Sequence, residues 1–108
     1  MNFHDAVLDG FALDAQRVLT VRFSEVKGEP SGDVVVLTVT GHELLLQQGQ
    51  FEADWFLSTV FCVDNAGARQ ELRPGASLKV GRLVVLGDNG AFLEVVGGEL
   101  EVRVSRGP

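Results

Sequence analysis

Apolar residues recur at every second position through most of this chain, and Gly-rich breaks separate the runs, a pattern of short strands rather than helices. The clearest stretch is 78–104, LKVGRLVVLGDNGAFLEVVGGELEVRV. Its three apolar runs are divided by Gly-Asp-Asn-Gly and by Gly-Gly, which predicts a C-terminal three-stranded antiparallel meander. A Gly97-Gly98 turn sets Val95 opposite Leu100 and Leu93 opposite Val102. It also sets Glu94 opposite Glu101, an unfavourable like-charge pair that Arg103, on the diagonal, would offset. A loop of two or four residues within 87–90 groups Val84 and Leu86 with Leu93 and Val95. The opposite face then carries Leu83, Val85, Phe92 and Val96 around the glutamates, too apolar a set for an ordinary solvated surface.

The same parity reading covers the rest of the chain. In residues 3–14, Val7, Phe11 and Leu13 line one strand face, and in residues 17–23 Leu19, Val21 and Phe23 point inward while Thr20 and Arg22 point out. A connection of Asp14, Ala15 and Gln16 places Phe11 across from Leu19 and Val7 across from Phe23. Residues 27–33, KGEPSGD, form an exposed loop. Residues 34–48 read as a hairpin turning at Gly41-His42, with Val39 facing Leu44, Leu37 facing Leu46, and Thr38 and Thr40 outside. Residues 50–63 fit both helical and strand spacing. Their aromatic and β-branched content favours a strand over 55–63, approached by irregular chain. Turns follow at 64–67 and 73–75, with a brief pairing at 70–72, and residues 105–108 form a frayed tail. These elements predict one all-β domain over 1–108, an antiparallel sandwich or flattened barrel.

Composition narrows the function. A 108-residue chain that is 45% hydrophobic builds a core without metal or disulfide, and the lone Cys62 forms no internal disulfide. The N-terminal residues carry acidic and no basic side chains, unlike a signal or transit peptide, and no run approaches the ~20 apolar residues of a membrane helix. The expectation is a cytoplasmic protein with no membrane partner. Net charge is −6, with 15 acidic side chains against 9 basic ones, so nucleic acid is not an expected partner.

Candidate chemistry is sparse. Two histidines, His4 and His42, and one cysteine show none of the paired spacings of a zinc site, so no metal or other cofactor is expected. Cys62 lies in an apolar run as a small buried hydrophobe, and Ser58 lacks a nucleophile elbow. No acid–base pair stands out among the scattered carboxylates, so the chain is not expected to be an enzyme. What remains is the apolar outer face. Leu83, Val85, Phe92, Glu94 and Val96, with Trp55 and Phe56 as aromatic anchors, are candidates for an interface with a second copy or another protein, unless a second sheet covers them. On this reading Phe92→Asp or Val85→Asp weakens a dimer. His4, Asp5 and His42 are the candidate polar site.

The opening Phe3-His4-Asp5-Ala6-Val7-Leu8 and the closing GAFLEVVGGELEVRV resemble a loose group of small bacterial all-β proteins. Chains of that group open on Phe-His-Asp-x-x-Leu and close on a Gly-x-x-Leu-x-Ile/Val strand pair. Some resemble immunity proteins, which neutralise toxins by binding them. The resemblance implies a binding role, with an acidic surface meeting a basic toxin, and draws attention to His4 and Asp5. A β-barrel that takes a small ligand or a metal is a further alternative.

Overall fold

The computed structural model describes residues 1–51 and 56–106. Every regular element among them is a strand: β1 (Val7–Leu13), β2 (Leu19–Ser24), β3 (Val34–Thr40), β4 (Leu44–Gln48), β5 (Leu57–Val63), β6 (Arg69–Gln70), β7 (Ser77–Lys79), β8 (Arg82–Gly87), β9 (Phe92–Val96) and β10 (Glu99–Ser105). They form two five-stranded antiparallel sheets, ordered β1-β2-β3-β10-β7 and β4-β9-β8-β5-β6. The sheets face one another across one hydrophobic cluster, which is the sandwich, one of the two all-β arrangements expected.

Alternation determines what enters that cluster. The first sheet contributes Leu19, Val21 and Phe23 from β2, Val35, Leu37 and Val39 from β3, and Leu100 and Val102 from β10. The second contributes Leu57, Val60 and Cys62 from β5, Leu83 and Val85 from β8, and Leu93 and Val95 from β9. Each such Leu or Val side chain adds about 1.5–3 kcal/mol of burial. The expected inward set on β2 and the outward Thr38 and Thr40 are where the alternation placed them.

Four registers differ from the sequence reading. The β1–β2 connection is longer than three residues, with Leu13 opposite Leu19 and Phe11 opposite Val21. Asp14 stabilises it by accepting the N–H groups of Gln16 and Val18, both at 2.9 Å. The shift is even, so Phe11 stays on the core side. A bulge at Asp9 then turns Val7 outward, opposite Ser24, and Leu8 inward, opposite Phe23. The second difference is at Gly41-His42. β3 pairs with β2 and β10, β4 pairs with β9, and the connection crosses between sheets instead of closing a hairpin.

The third difference is the meander. β8 and β9 form a hairpin, but β10 leaves for the first sheet and lies between β3 and β7, so Gly97-Gly98 is a second sheet crossing. Glu101 therefore lies opposite Thr38 and Ser77, not Glu94. Both crossings meet at one corner, where Glu43 N–H donates to Val96 O at 2.8 Å and Val80 N–H donates to Gly98 O at 2.9 Å. Gly98 has φ 94°, and a Cβ there would collide with the Thr40 carbonyl oxygen and lie 2.9 Å from the His42 nitrogen. That approach between crossings is what a hairpin reading omits.

The fourth difference is a parity error in the β8–β9 loop. Gly87 N–H donates to Ala91 O at 2.8 Å, and Gly90 N–H donates to Gly87 O at 3.0 Å with Gly90 at φ 88°. This closes a three-residue loop with a left-handed glycine at its third position. An odd loop exchanges the faces of β8 relative to β9. Leu83 lies opposite Val95 and Val85 opposite Leu93, so Leu83 and Val85 are core residues, both 0% exposed. Val84 and Leu86 are the ones that face out.

Of the strand expected over 55–63, Leu57–Val63 forms, and Phe56 precedes it in a bridge to Val7. Trp55 lies outside the described residues. The brief pairing expected at 70–72 occurs one residue earlier, where β6 (Arg69–Gln70) meets Val63 and Cys62 of β5.

Candidate functional site

The two outer faces of the sandwich differ in kind. On the first sheet, register points Thr20 and Arg22 of β2, Val34, Val36, Thr38 and Thr40 of β3, and Glu99, Glu101, Arg103 and Ser105 of β10 away from the core, a set with two apolar members in ten, of which Val36 is buried beneath its neighbours. That is an ordinary solvated face. On the second sheet the outward positions are Leu44, Leu46 and Gln48 of β4, Phe92, Glu94 and Val96 of β9, Arg82, Val84 and Leu86 of β8, and Thr59, Phe61 and Val63 of β5. Eight of these twelve are apolar, which is the composition of a covered surface rather than a wetted one.

Its geometry follows from the strands. Leu44 is 54% and Leu46 40% exposed at the β4 edge. Towards the centre, Val84 is buried by its outward neighbours although it faces away from the core, and Leu86, Phe92, Val96, Phe61 and Val63 are half-buried. Charge is confined to few groups. Arg82 Nε lies 3.1 Å from Glu94 Oε1, and the Arg69 guanidinium stacks 4.5 Å from the centre of the Phe61 ring at the opposite edge. The Arg82–Glu94 pair is partly open to solvent and adds roughly 0–1 kcal/mol to the fold.

Of the candidate interface residues, Phe92, Glu94 and Val96 lie on this face, whereas Leu83 and Val85 lie beneath it in the core. Phe56 is 50% exposed at the end of β5, and its carbonyl accepts the Asp88 N–H at 3.0 Å. Leu44, Leu46, Val84, Leu86 and Phe61 were missed. A hairpin at Gly41-His42 would pair the first two with β3, an even loop would turn the next two inward, and alternation over 55–63 names no partner strand for Phe61.

The polar candidates do not assemble. His4 Nδ1 lies 3.0 Å from the Ser58 carbonyl oxygen and His4 Nε2 lies 3.7 Å from Asp5 Oδ1, with Lys27 Nζ 3.9 Å from the other carboxylate oxygen. All three side chains are about half exposed. His42 is elsewhere in character: it is 6% exposed at the β3–β4 crossing, and among the described residues neither ring nitrogen has a hydrogen-bond partner, so no hydrogen bond there ties it to His4 or Asp5. Among the described residues no three His, Cys, Asp or Glu side chains come together as metal ligands.

An open cleft of about 600 Å³ lies at the crossing corner, with Thr40, Glu43, Asn65, Lys79 and Glu99 around a glycine-rich backbone. Lys79 and Glu99 are register partners across β7 and β10, an arrangement common on any sheet surface. Cys62 is buried on the core side of β5. Burial pushes its thiol pKa up, a hydrogen bond from Gln70 partly offsets this, and the nearby Asp64 carboxylate adds to the rise. Such a thiol is a poor nucleophile. Gln70 also donates to Lys79 O at 2.7 Å, clasping β6 to β7 across the two sheets.

Fold and surface together define a class: a two-sheet antiparallel β-sandwich with one solvated and one apolar outer face. No protein-family model, curated protein or solved structure matches the chain. No described helix is long and apolar enough to cross a membrane.

Proposed function

We propose that this protein is a non-enzymatic protein-binding domain and that its working surface is the outer face of the β4-β9-β8-β5 sheet. The observation that carries the reading is the contrast between the two outer faces of one sandwich. The polar face, with Thr38, Glu101 and Arg103, satisfies solvent on its own. The other presents Leu44, Leu46, Phe92 and Val96 around a single ion pair. An apolar centre with few charges is the anatomy of an interface, and Phe92 and Arg82 are residue types that anchor binding.

The test is a photo-crosslinking side chain placed at Leu46 and, as control, at Glu101 on the opposite sheet. The expected result is a discrete protein adduct from position 46 in the host cell and none from position 101. Equal capture at both positions, or none at either, removes the proposal. Val85→Asp is unsuitable as a probe, because it would place a carboxylate in the core and unfold the domain. Phe92→Asp and Leu46→Asp act on the face itself.

A further inference from the structure

We infer that the occupant of this face is a second copy of the same chain, docked face to face about a two-fold axis that passes between Arg82 and Glu94. The inference rests on the reading of the face as a binding surface and names its partner.

Charge is the first argument. The chain carries −6, so two copies repel wherever acidic surfaces meet. Among the described residues, the outward charged side chains of the second sheet are Arg69, Arg82 and Glu94, a surplus of one positive charge. Glu99 and Glu101 sit on the opposite sheet. Face-to-face docking therefore closes the surface without an acidic excess and keeps the acidic sides apart.

Symmetry is the second argument. A two-fold contact requires a surface that complements itself. One cation and one anion side by side meet that requirement: rotation brings Arg82 onto the partner's Glu94 and Glu94 onto the partner's Arg82. The pair, 3.1 Å apart within one chain, becomes an alternating cluster of four charges across the axis.

Area is the third. Four strands about 4.8 Å apart, each with about five residues rising about 3.4 Å, give a footprint of about 320 Å². With side-chain relief, two such faces remove on the order of 1,000 Å² from water, at the threshold for a specific interface and well below an obligate one. The dimer is thus reversible, with a dissociation constant on the order of micromolar or weaker. The rival arrangement, edge pairing through β4, would leave Phe92, Val96 and Leu86 uncovered, and so does not account for them.

Sedimentation equilibrium of the full chain, from about 1 μM to about 1 mM, tests this against the expected weak affinity. The wild type is expected to dimerise reversibly. Glu94→Arg and Arg82→Glu each set like charges across the axis and are expected to raise the dissociation constant about tenfold or more. Their equimolar mixture, all positive against all negative, is expected to recover affinity to within about threefold of wild type. Leu46→Asp, at an exposed position, weakens the dimer without touching the ion pair, and near-UV circular dichroism confirms that each variant is folded. A wild type that stays monomeric at the highest concentration, or a dimer indifferent to both charge reversals, overturns the inference. A Leu46 adduct with a mass other than two chains also overturns it while leaving the binding reading intact, whereas the absence of any adduct removes both.

Discussion

Gly98→Ala probes the crossing that places β10 in the first sheet. Two costs arise there. Alanine at φ 94° adopts a left-handed backbone that costs roughly 1–3 kcal/mol. Its Cβ would also collide with the Thr40 carbonyl oxygen and approach the His42 nitrogen to 2.9 Å. These are backbone atoms, and they are not free to yield: Thr40 is register-paired with Glu99, and Glu43 N–H donates to Val96 O. Relieving such a contact costs roughly 1–3 kcal/mol more. The sum, about 2–6 kcal/mol, is a large part of the roughly 5–15 kcal/mol that stabilises a domain of this size. Gly90→Ala is the control, because Gly90 has φ 88° but nothing within 4 Å of its would-be Cβ, so it bears the first cost alone. Equilibrium urea unfolding followed by far-UV circular dichroism measures both, with an unchanged denaturant slope as the check on two-state behaviour. A hairpin turn at Gly97-Gly98 would make the two glycines equivalent. A difference below about 0.5 kcal/mol, within the range of ordinary surface substitutions, refutes the crossing argument.

Three further outcomes are expected. Leu83→Ala opens a cavity between the sheets and costs about 2–5 kcal/mol in urea unfolding, whereas Phe92→Ala on the outer face costs the monomer about 1 kcal/mol or less; the reverse order would restore the even-loop parity. His42→Leu removes two buried ring nitrogens that have no partner and raises stability by about 1–2 kcal/mol, so a loss of that size instead would show that the imidazole is satisfied. Cys62 has its thiol pKa raised in the folded state, from an ordinary value of 9.0. Below that value both states keep the proton. Above it the unfolded thiol ionises first, so the unfolded state binds fewer protons and stability falls as pH rises. Unfolding free energies measured from pH 8 to pH 10.5 should therefore show a decline that Cys62→Ala lacks, and parallel profiles would refute it, the slope per unit being at most about 1.4 kcal/mol.

The strands were legible because alternation is a local signal: β2, β10 and the second half of β3 repeat apolar and polar side chains at period two, and Gly-rich turns bound the apolar run of β9. Their partners were not. Gly41-His42 and Gly97-Gly98 look like hairpin turns, since a turn and a crossing both ask for residues that tolerate unusual backbone. What separates them is a contact between positions far apart in sequence, Gly98 against Thr40 and His42, which no local pattern encodes. Loop parity failed for a related reason. Gly-Asp-Asn-Gly accommodates two, three or four loop residues, and the run Leu83-Val84-Val85-Leu86 is apolar at both parities, so its composition could not choose between them.

That same ambiguity makes an apolar outer face legible in the sequence while leaving its residues open. A central strand apolar at four successive positions presents apolar side chains to both faces whichever register it takes. With Leu83 and Val85 turned inward, Val84 and Leu86 necessarily face out, beside Phe92 and Val96. An apolar outer face is thus a property of the sequence composition of β8 and β9, independent of loop length. Which side chains form it depends wholly on the loop, and so does every mutation chosen to test it. Val85→Asp and Phe92→Asp belong to one face under the even loop. Under the three-residue loop the first destroys the core, and the second alters only the surface that a partner would meet.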